Sequence, residues 1–171
     1  MRGQPSYGDN QYPKKLTLEE AKQKIARYCA YQERAHAEVE EKLFSYGLGR
    51  SEVEDLLAWL ITENYVNEQR FAIAFAGGKF RIKHWGKLKI KQYLEQKKVS
   101  AYSINKALDL LDEEAYTLTI DQLIEASFGK IKSANVFEFR HKVARSLINK
   151  GFEPDLVWDR LKLLVKDDSM V

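Results

Sequence analysis

Three kinds of side chain in this sequence have a type and spacing that bear on chemistry: a lone thiol, a histidine–carboxylate pair, and runs of cations with aromatic residues between them. Cys29 would be a nucleophile if held as a thiolate. It falls with Ala21, Ile25 and Tyr28 on the apolar face expected for its helix, where a thiol acts as a small hydrophobe. His36 and Glu40 are four residues apart, on one helix face, but two donors do not hold a metal. One cysteine and three scattered histidines also fall short of a structural zinc set. Glu38, Glu40 and Glu41 read as solvated helix surface, and Gly77-Gly78 lacks the Lys-Ser/Thr that completes a phosphate loop. No catalytic group, metal or cofactor is expected, and the chain reads as a non-enzyme.

The cations carry more. Residues 79–98 hold eight basic residues against Glu95 alone, a balance of +7, and residues 129–150 hold six against Glu138, a balance of +5. Residues 33–68 run the other way, with three basic residues against nine acidic ones. Segregated blocks of one sign produce an oriented field suited to a polyanion or a dipolar partner. Lys83, Lys87 and Lys91 recur every four residues and would line one helix face if the helix ran through Trp85-Gly86. Lys79, Arg81, Lys89, Lys97 and Lys98 surround them. Neutralising about five phosphates would give a salt slope of roughly −3.5 on single-stranded DNA. Trp85 and Tyr93 are expected in the core, with base stacking as their alternative. Arg140, Lys142 and Arg145, with His141 among them, make a smaller second patch.

These side chains must be positioned by a repeat. Leu43, Leu48, Val53, Leu57, Trp59 and Leu60 recur 51 residues on as Leu94, Val99, Ile104, Leu108, Leu110 and Leu111. A further step of 53 reaches Leu147, Phe152, Val157, Leu161, Leu163 and Leu164. Each block spaces its apolar residues as a helix, a turn and a second helix, and such units bury their faces by stacking. Prolines fall only at 5, 13 and 154, leaving a long stretch open to helix. The expected fold is all-α: a tandem array of three three-helix, helix-turn-helix-like repeats, elongated and curved. The expected divisions are a flexible tail over 1–15, an acidic repeat over 16–64, and basic repeats over 65–111 and 112–166.

Local signals mark the helix ends. Thr17 with Glu20, and Ser51 with Glu54, have capping-box spacing. Gly47, Gly129 and Gly151 suit C-terminal stops, and Pro154 suits a first helical turn. Phe71, Ala74 and Phe75 are expected inward on the helix beginning after Asn67, with a bend or an interruption at Gly77-Gly78. Ile90, Tyr93 and Leu94 are expected inward on the next. No apolar run approaches the roughly 20 residues of a membrane span, and no signal-peptide core opens the chain. A single cysteine fits a cytoplasmic protein, and an array that supplies its own neighbours is expected to be a monomer.

The segment Tyr65-Val66-Asn67-Glu68-Gln69-Arg70-Phe71-Ala72 resembles the signature of the RecX family, regulators of the RecA recombinase. Upstream, Arg34 to Leu43 with Gly47 is similar to the family's Arg, Glu-Leu, Lys-Leu, Gly pattern. Downstream, Arg81, Gly86, Ile90, Leu94, Ile104 and Ala107-Leu108 continue the likeness over about residues 20–165. Asn67 stands where Asp is common, Lys98 where Gly is common and Val66 where Leu is usual. The resemblance implies an all-helical modulator, mainly an inhibitor, of RecA in DNA repair, homologous recombination and the SOS response. It would bind in the groove of the RecA–single-stranded DNA filament and limit its growth, ATPase and strand exchange. Two other readings stay open: a free-standing DNA-binding protein, and a helical protein-interaction scaffold without DNA contact. Against the first, no helix carries the Arg/Asn/Gln cluster that reads base edges.

Overall fold

The computed structural model describes residues 15–166, so the tail expected over 1–15 lies, save for Lys15, outside the described residues. Nine helices and no strand occur among these residues. They divide into two compact units, one ending at Asn67 and the other starting at Glu68.

The first unit holds α1 (Leu18–Tyr31), α2 (His36–Ser45) and α3 (Arg50–Thr62). The Thr17 hydroxyl accepts from the Glu20 N–H at 3.3 Å, while the Glu20 carboxylate accepts from the Thr17 N–H at 2.9 Å. That is the expected capping box at the head of α1. The box expected at Ser51 and Glu54 is displaced: α3 begins earlier, and the Glu52 carboxylate accepts from the Gly49 N–H at 2.7 Å. Glycine has no side chain to return the bond, so only half of the motif exists there. Ala21, Ile25, Cys29, Val39, Leu43, Leu48, Val53, Leu56, Leu60 and Val66 fill the core. The Leu16 N–H donates to the Tyr46 carbonyl at 3.0 Å and ties the entering chain to the end of α2.

The second unit holds α4 (Glu68–Lys83), α5 (Lys87–Gln96), α6 (Ala101–Asp109), α7 (Glu113–Glu125), α8 (Val136–Asn149) and α9 (Pro154–Leu164). Of the expected bend or interruption at Gly77-Gly78, the interruption does not occur: α4 continues through both glycines. Ala72, Ala76 and Gly77 are buried and leave room for α4 to lie close along α6, the most extensively packed helix pair. Ala74, expected inward, is exposed, and Phe75 is half-buried. Glu68 accepts from the Ser100 hydroxyl and, at 2.8 Å, from the buried Ser103 hydroxyl, joining the head of α4 to that of α6. Asp112 and Asn135 cap α7 and α8 by accepting from the Ala115 and Glu138 N–H groups at 2.6 and 2.8 Å. The three glycines expected to stop helices, Gly47, Gly129 and Gly151, have φ of 81°, 74° and 91°.

Within this unit the start of α5 is fastened to the segment between α8 and α9. The Gly86 N–H donates to the Lys150 carbonyl at 2.8 Å, and the Leu88 N–H to the Gly151 carbonyl at 3.0 Å. A Cβ on Gly86 would fall on the Gly151 carbonyl and the Phe152 nitrogen, and one on Gly151 would fall on Lys89. Tyr116 fills the junction. Its ring centroid lies 5.4 Å from that of Phe80 and 5.3 Å from that of Phe152. Its hydroxyl accepts from the Lys87 N–H at 2.8 Å and donates to Glu153 Oε2 at 2.6 Å.

Of the six positions in the 51- and 53-residue register, three are buried in every repeat, while Leu57, Leu108 and Leu164 are half-buried at two others. Leu43, Leu94 and Leu147 are buried, as are Leu48, Val99 and Phe152, and Val53, Ile104 and Val157. The position of Trp59, Leu110 and Leu163 turns outward: the two leucines are 64% and 57% exposed.

Candidate nucleic-acid interface

A half-buried aromatic cluster ringed by lysines lies where α4 turns into α5. His84 adopts φ of 51° after the last residue of α4, and the Trp85 N–H donates to the Lys79 carbonyl at 3.3 Å. This turn folds the indole back toward α4. Phe75 and Tyr93 stack with centroids 5.0 Å apart and planes 15° from parallel. Trp85 stands 6.4 Å from Phe75 and 5.7 Å from Tyr93. The Lys79 ammonium sits 5.2 Å from the Phe75 ring centre and 5.0 Å from that of Trp85. Lys89 lies 4.7 Å over Trp85, and Lys97 lies 5.9 Å from Tyr93. These distances are within cation–π range. Tyr93, expected inward, is 36% exposed, and Trp85 is half-buried rather than in the core.

The expected face of Lys83, Lys87 and Lys91 does not form. α4 ends at Lys83 and α5 begins at Lys87, so a four-residue spacing across the turn no longer means one face. Lys87 instead pairs with Glu113 and lies 4.9 Å over the Tyr116 ring. Lys91 faces Glu95 at 3.9 Å, one turn along α5. Lys83 and Lys98 are exposed, the latter with φ of 59°. The Arg81 guanidinium lies over Gly77, where a Cβ would meet Nη1 at 2.8 Å. Of the eight cations in this segment, Lys79, Lys89 and Lys97 are the ones gathered on the aromatic cluster.

The smaller patch of Arg140, Lys142 and Arg145 is dispersed as well. Arg140 turns toward the end of the described chain, with Nε donating to the Val165 carbonyl at 3.0 Å. Lys142 pairs with Glu138 at 2.7 Å and donates to the Lys132 carbonyl at 2.7 Å. The Glu138 carboxyl is held below its usual range, first by the Ala134 N–H and then by Lys142. Arg145 is exposed, and His141 lies between Phe137 and Trp158, at 4.3 and 4.9 Å.

The motif residues have structural settings. Tyr65 packs on Trp59 at 5.4 Å, Glu68 bonds the head of α6, Phe71 is buried, and Gly86 makes the close approach to Gly151. Asn67 immediately precedes α4, and Arg70 lies in its first turn. Sequence reasoning missed the joining role of Tyr116, whose partners lie 29 and 37 residues away. It also missed the two-point pair in which Arg160 Nε and Nη2 donate to the Asp121 carboxylate at 2.7 and 2.6 Å. Phe75 was expected inside and instead joins the surface cluster.

Cys29 is buried, and that burial pushes its thiol up to about 11, against the opposing effect of Arg34. No group of three or more His, Cys, Asp or Glu among the described residues is placed to hold a metal. No described helix is long and apolar enough to cross a membrane.

The fold and this surface define a class: an all-helical protein of consecutive three-helix bundles with a lysine-ringed aromatic face. Residues 67–108 match the family model described as RecX, second three-helix domain. The regulatory protein RecX of Bacillus cytotoxicus is 26% identical over 144 residues, covering 83% of this chain and 53% of that protein. That of Clostridioides difficile strain 630 is 24% identical over 149 residues, covering 87% and 70%. The crystal structure of RecX from Lactobacillus salivarius shares the fold with a TM-score of 0.75 at 23% identity, over 86% of this chain and 96% of that one. A second regulatory protein RecX crystal structure gives 0.73 at 21% identity. Over these stretches the chain is similar to proteins of the RecX family. It spans about half the length of the Bacillus relative.

Proposed function

We propose that this chain is a non-enzymatic, cytoplasmic regulator of the RecA recombinase, acting mainly as an inhibitor on the RecA–single-stranded DNA filament. The match of residues 67–108 to the second RecX domain carries this reading, since the relatives sharing it are named regulatory proteins. The cation–aromatic surface lies within the same segment and suits a filament that presents phosphate and protein together. The proposed modules are 16–64, 65–111 and 112–166, working as a monomer. The acidic module would face a basic part of RecA, and the basic modules the DNA or an acidic filament groove. Lys79, Arg81, Lys83, Lys87, Lys89, Lys91, Lys97, Lys98, Arg140, Lys142 and Arg145 remain the proposed contact set, with Lys79, Lys89 and Lys97 at its centre.

Retention on beads tests the partner. Bead-bound oligo(dT), coated with the cognate RecA and a non-hydrolysable ATP analogue, should hold the protein well above beads carrying RecA without DNA or an unrelated protein. Equal retention on all three would overturn the reading.

A further inference from the structure

We infer that Phe75, Trp85 and Tyr93, with Lys79, Lys89 and Lys97, form a base-stacking site by which this chain grips single-stranded DNA directly and in preference to duplex. The inference deepens the regulator reading by supplying its DNA contact, but it is measured on DNA alone and so fails separately.

The argument starts from what a stable core would do with these residues. Three aromatic rings within 6.4 Å of one another would normally be sealed in the interior, where burial is worth most. Here Tyr93 keeps 36% of its surface exposed, and Phe75 and Trp85 are only half-buried. Tyr93 keeps that exposure although Phe75 stacks on one face and Trp85 and Lys97 lie 5.7 and 5.9 Å from its centre. An exposed aromatic cluster alone would suit many partners. The charge selects among them. The nearest cations, Lys79 and Lys89, sit 4.7–5.2 Å from the rings, and Lys97 follows at 5.9 Å. An ammonium at an exposed ring is held by only about 0.5–1 kcal/mol. An incoming nucleotide satisfies both halves of the arrangement, its base taking the ring and its phosphate taking the ammonium.

Duplex DNA cannot use the site in this way, because its bases are stacked on one another and offer no free π-face. Single strands offer one per nucleotide, whatever the base. Stacking on a ring face uses no base edge, so base identity would not be read there. The site is therefore a sequence-tolerant, single-strand-selective grip.

Fluorescence anisotropy of the full-length protein with fluorescein-labelled dT20 and a 20-base-pair duplex tests this. The expected result is tighter binding of dT20, with a logarithmic salt slope near −2 for about three neutralised phosphates. Tyr93→Ala should weaken dT20 binding at least about fivefold, the scale of one lost base–aromatic stack. Tyr93→Phe, which keeps the ring, should bind as wild type, and a circular dichroism melt of each variant confirms folding. Duplex binding as tight as single-strand binding would overturn the inference. So would a folded Tyr93→Ala protein that binds dT20 unchanged, or one whose loss is reproduced by Tyr93→Phe.

Discussion

Gly86 and Gly151 meet backbone to backbone, with Lys89 against the second of them, and a methyl group has no space at either. Gly86→Ala must separate α5 from the α8–α9 segment, and Gly151→Ala must also adopt a positive φ that alanine disfavours. Either should cost about 3 kcal/mol or more. Gly78→Ala is the control: nothing lies within 4 Å of its added Cβ, and mid-helix alanine is preferred by roughly 0.5–1 kcal/mol. Urea unfolding followed by tryptophan fluorescence in a Trp59→Phe background reports on Trp85 and Trp158 in the second unit. The midpoint should fall for the first two variants and rise for the third. The motif glycine was visible in sequence, but its reason was not, because its neighbour lies 65 residues on and no local pattern links them.

At the scale of elements, the junction between α5, α7 and α9 turns on the Tyr116 hydroxyl. Tyr116→Phe keeps the ring between Phe80 and Phe152 but strands the Lys87 N–H and one Glu153 oxygen, which should cost about 1–3 kcal/mol. A pH dependence follows. Burial, then the bond to Glu153, raises the Tyr116 ionisation above its ordinary value of 10.0. The unfolded chain therefore loses this proton first on the way up. The contribution to stability is intact below about pH 10 and declines as pH rises above it. Wild type should accordingly lose more stability between pH 9 and 11 than Tyr116→Phe does, as read from the two urea midpoints. Parallel curves would remove Tyr116 from that role.

The same scale shows why some elements were legible and others were not. Helices α1 to α9 announce themselves because apolar spacing, caps and stops are local and repeat three times. The cap of α3 misled because Ser51 and Glu54 have the right types, while Gly49 and Glu52 have the right geometry. The lysine stripe misled because spacing of four has meaning only inside one helix, and Trp85-Gly86 ends that helix. The aromatic cluster was hidden for a different reason. Phe75, Trp85 and Tyr93 lie on a helix, a turn and another helix, and their meeting depends on the α4–α5 packing angle rather than on any period.

For the whole molecule, the proposal rests on charge segregated along the chain, with the acidic block in the first unit and the basic blocks in the second. Raising salt should weaken filament engagement steeply if those blocks do the steering, since exposed charges are screened over about 8–10 Å near physiological ionic strength. The most direct test is the single-stranded-DNA-dependent ATPase of the cognate RecA, titrated with wild-type protein and with a Lys79→Glu/Lys89→Glu variant. The account expects ATPase to fall at substoichiometric wild-type protein and to require several-fold more of the variant. An ATPase unchanged by wild-type protein, at concentrations that saturate its binding to the RecA-coated DNA, would contradict it.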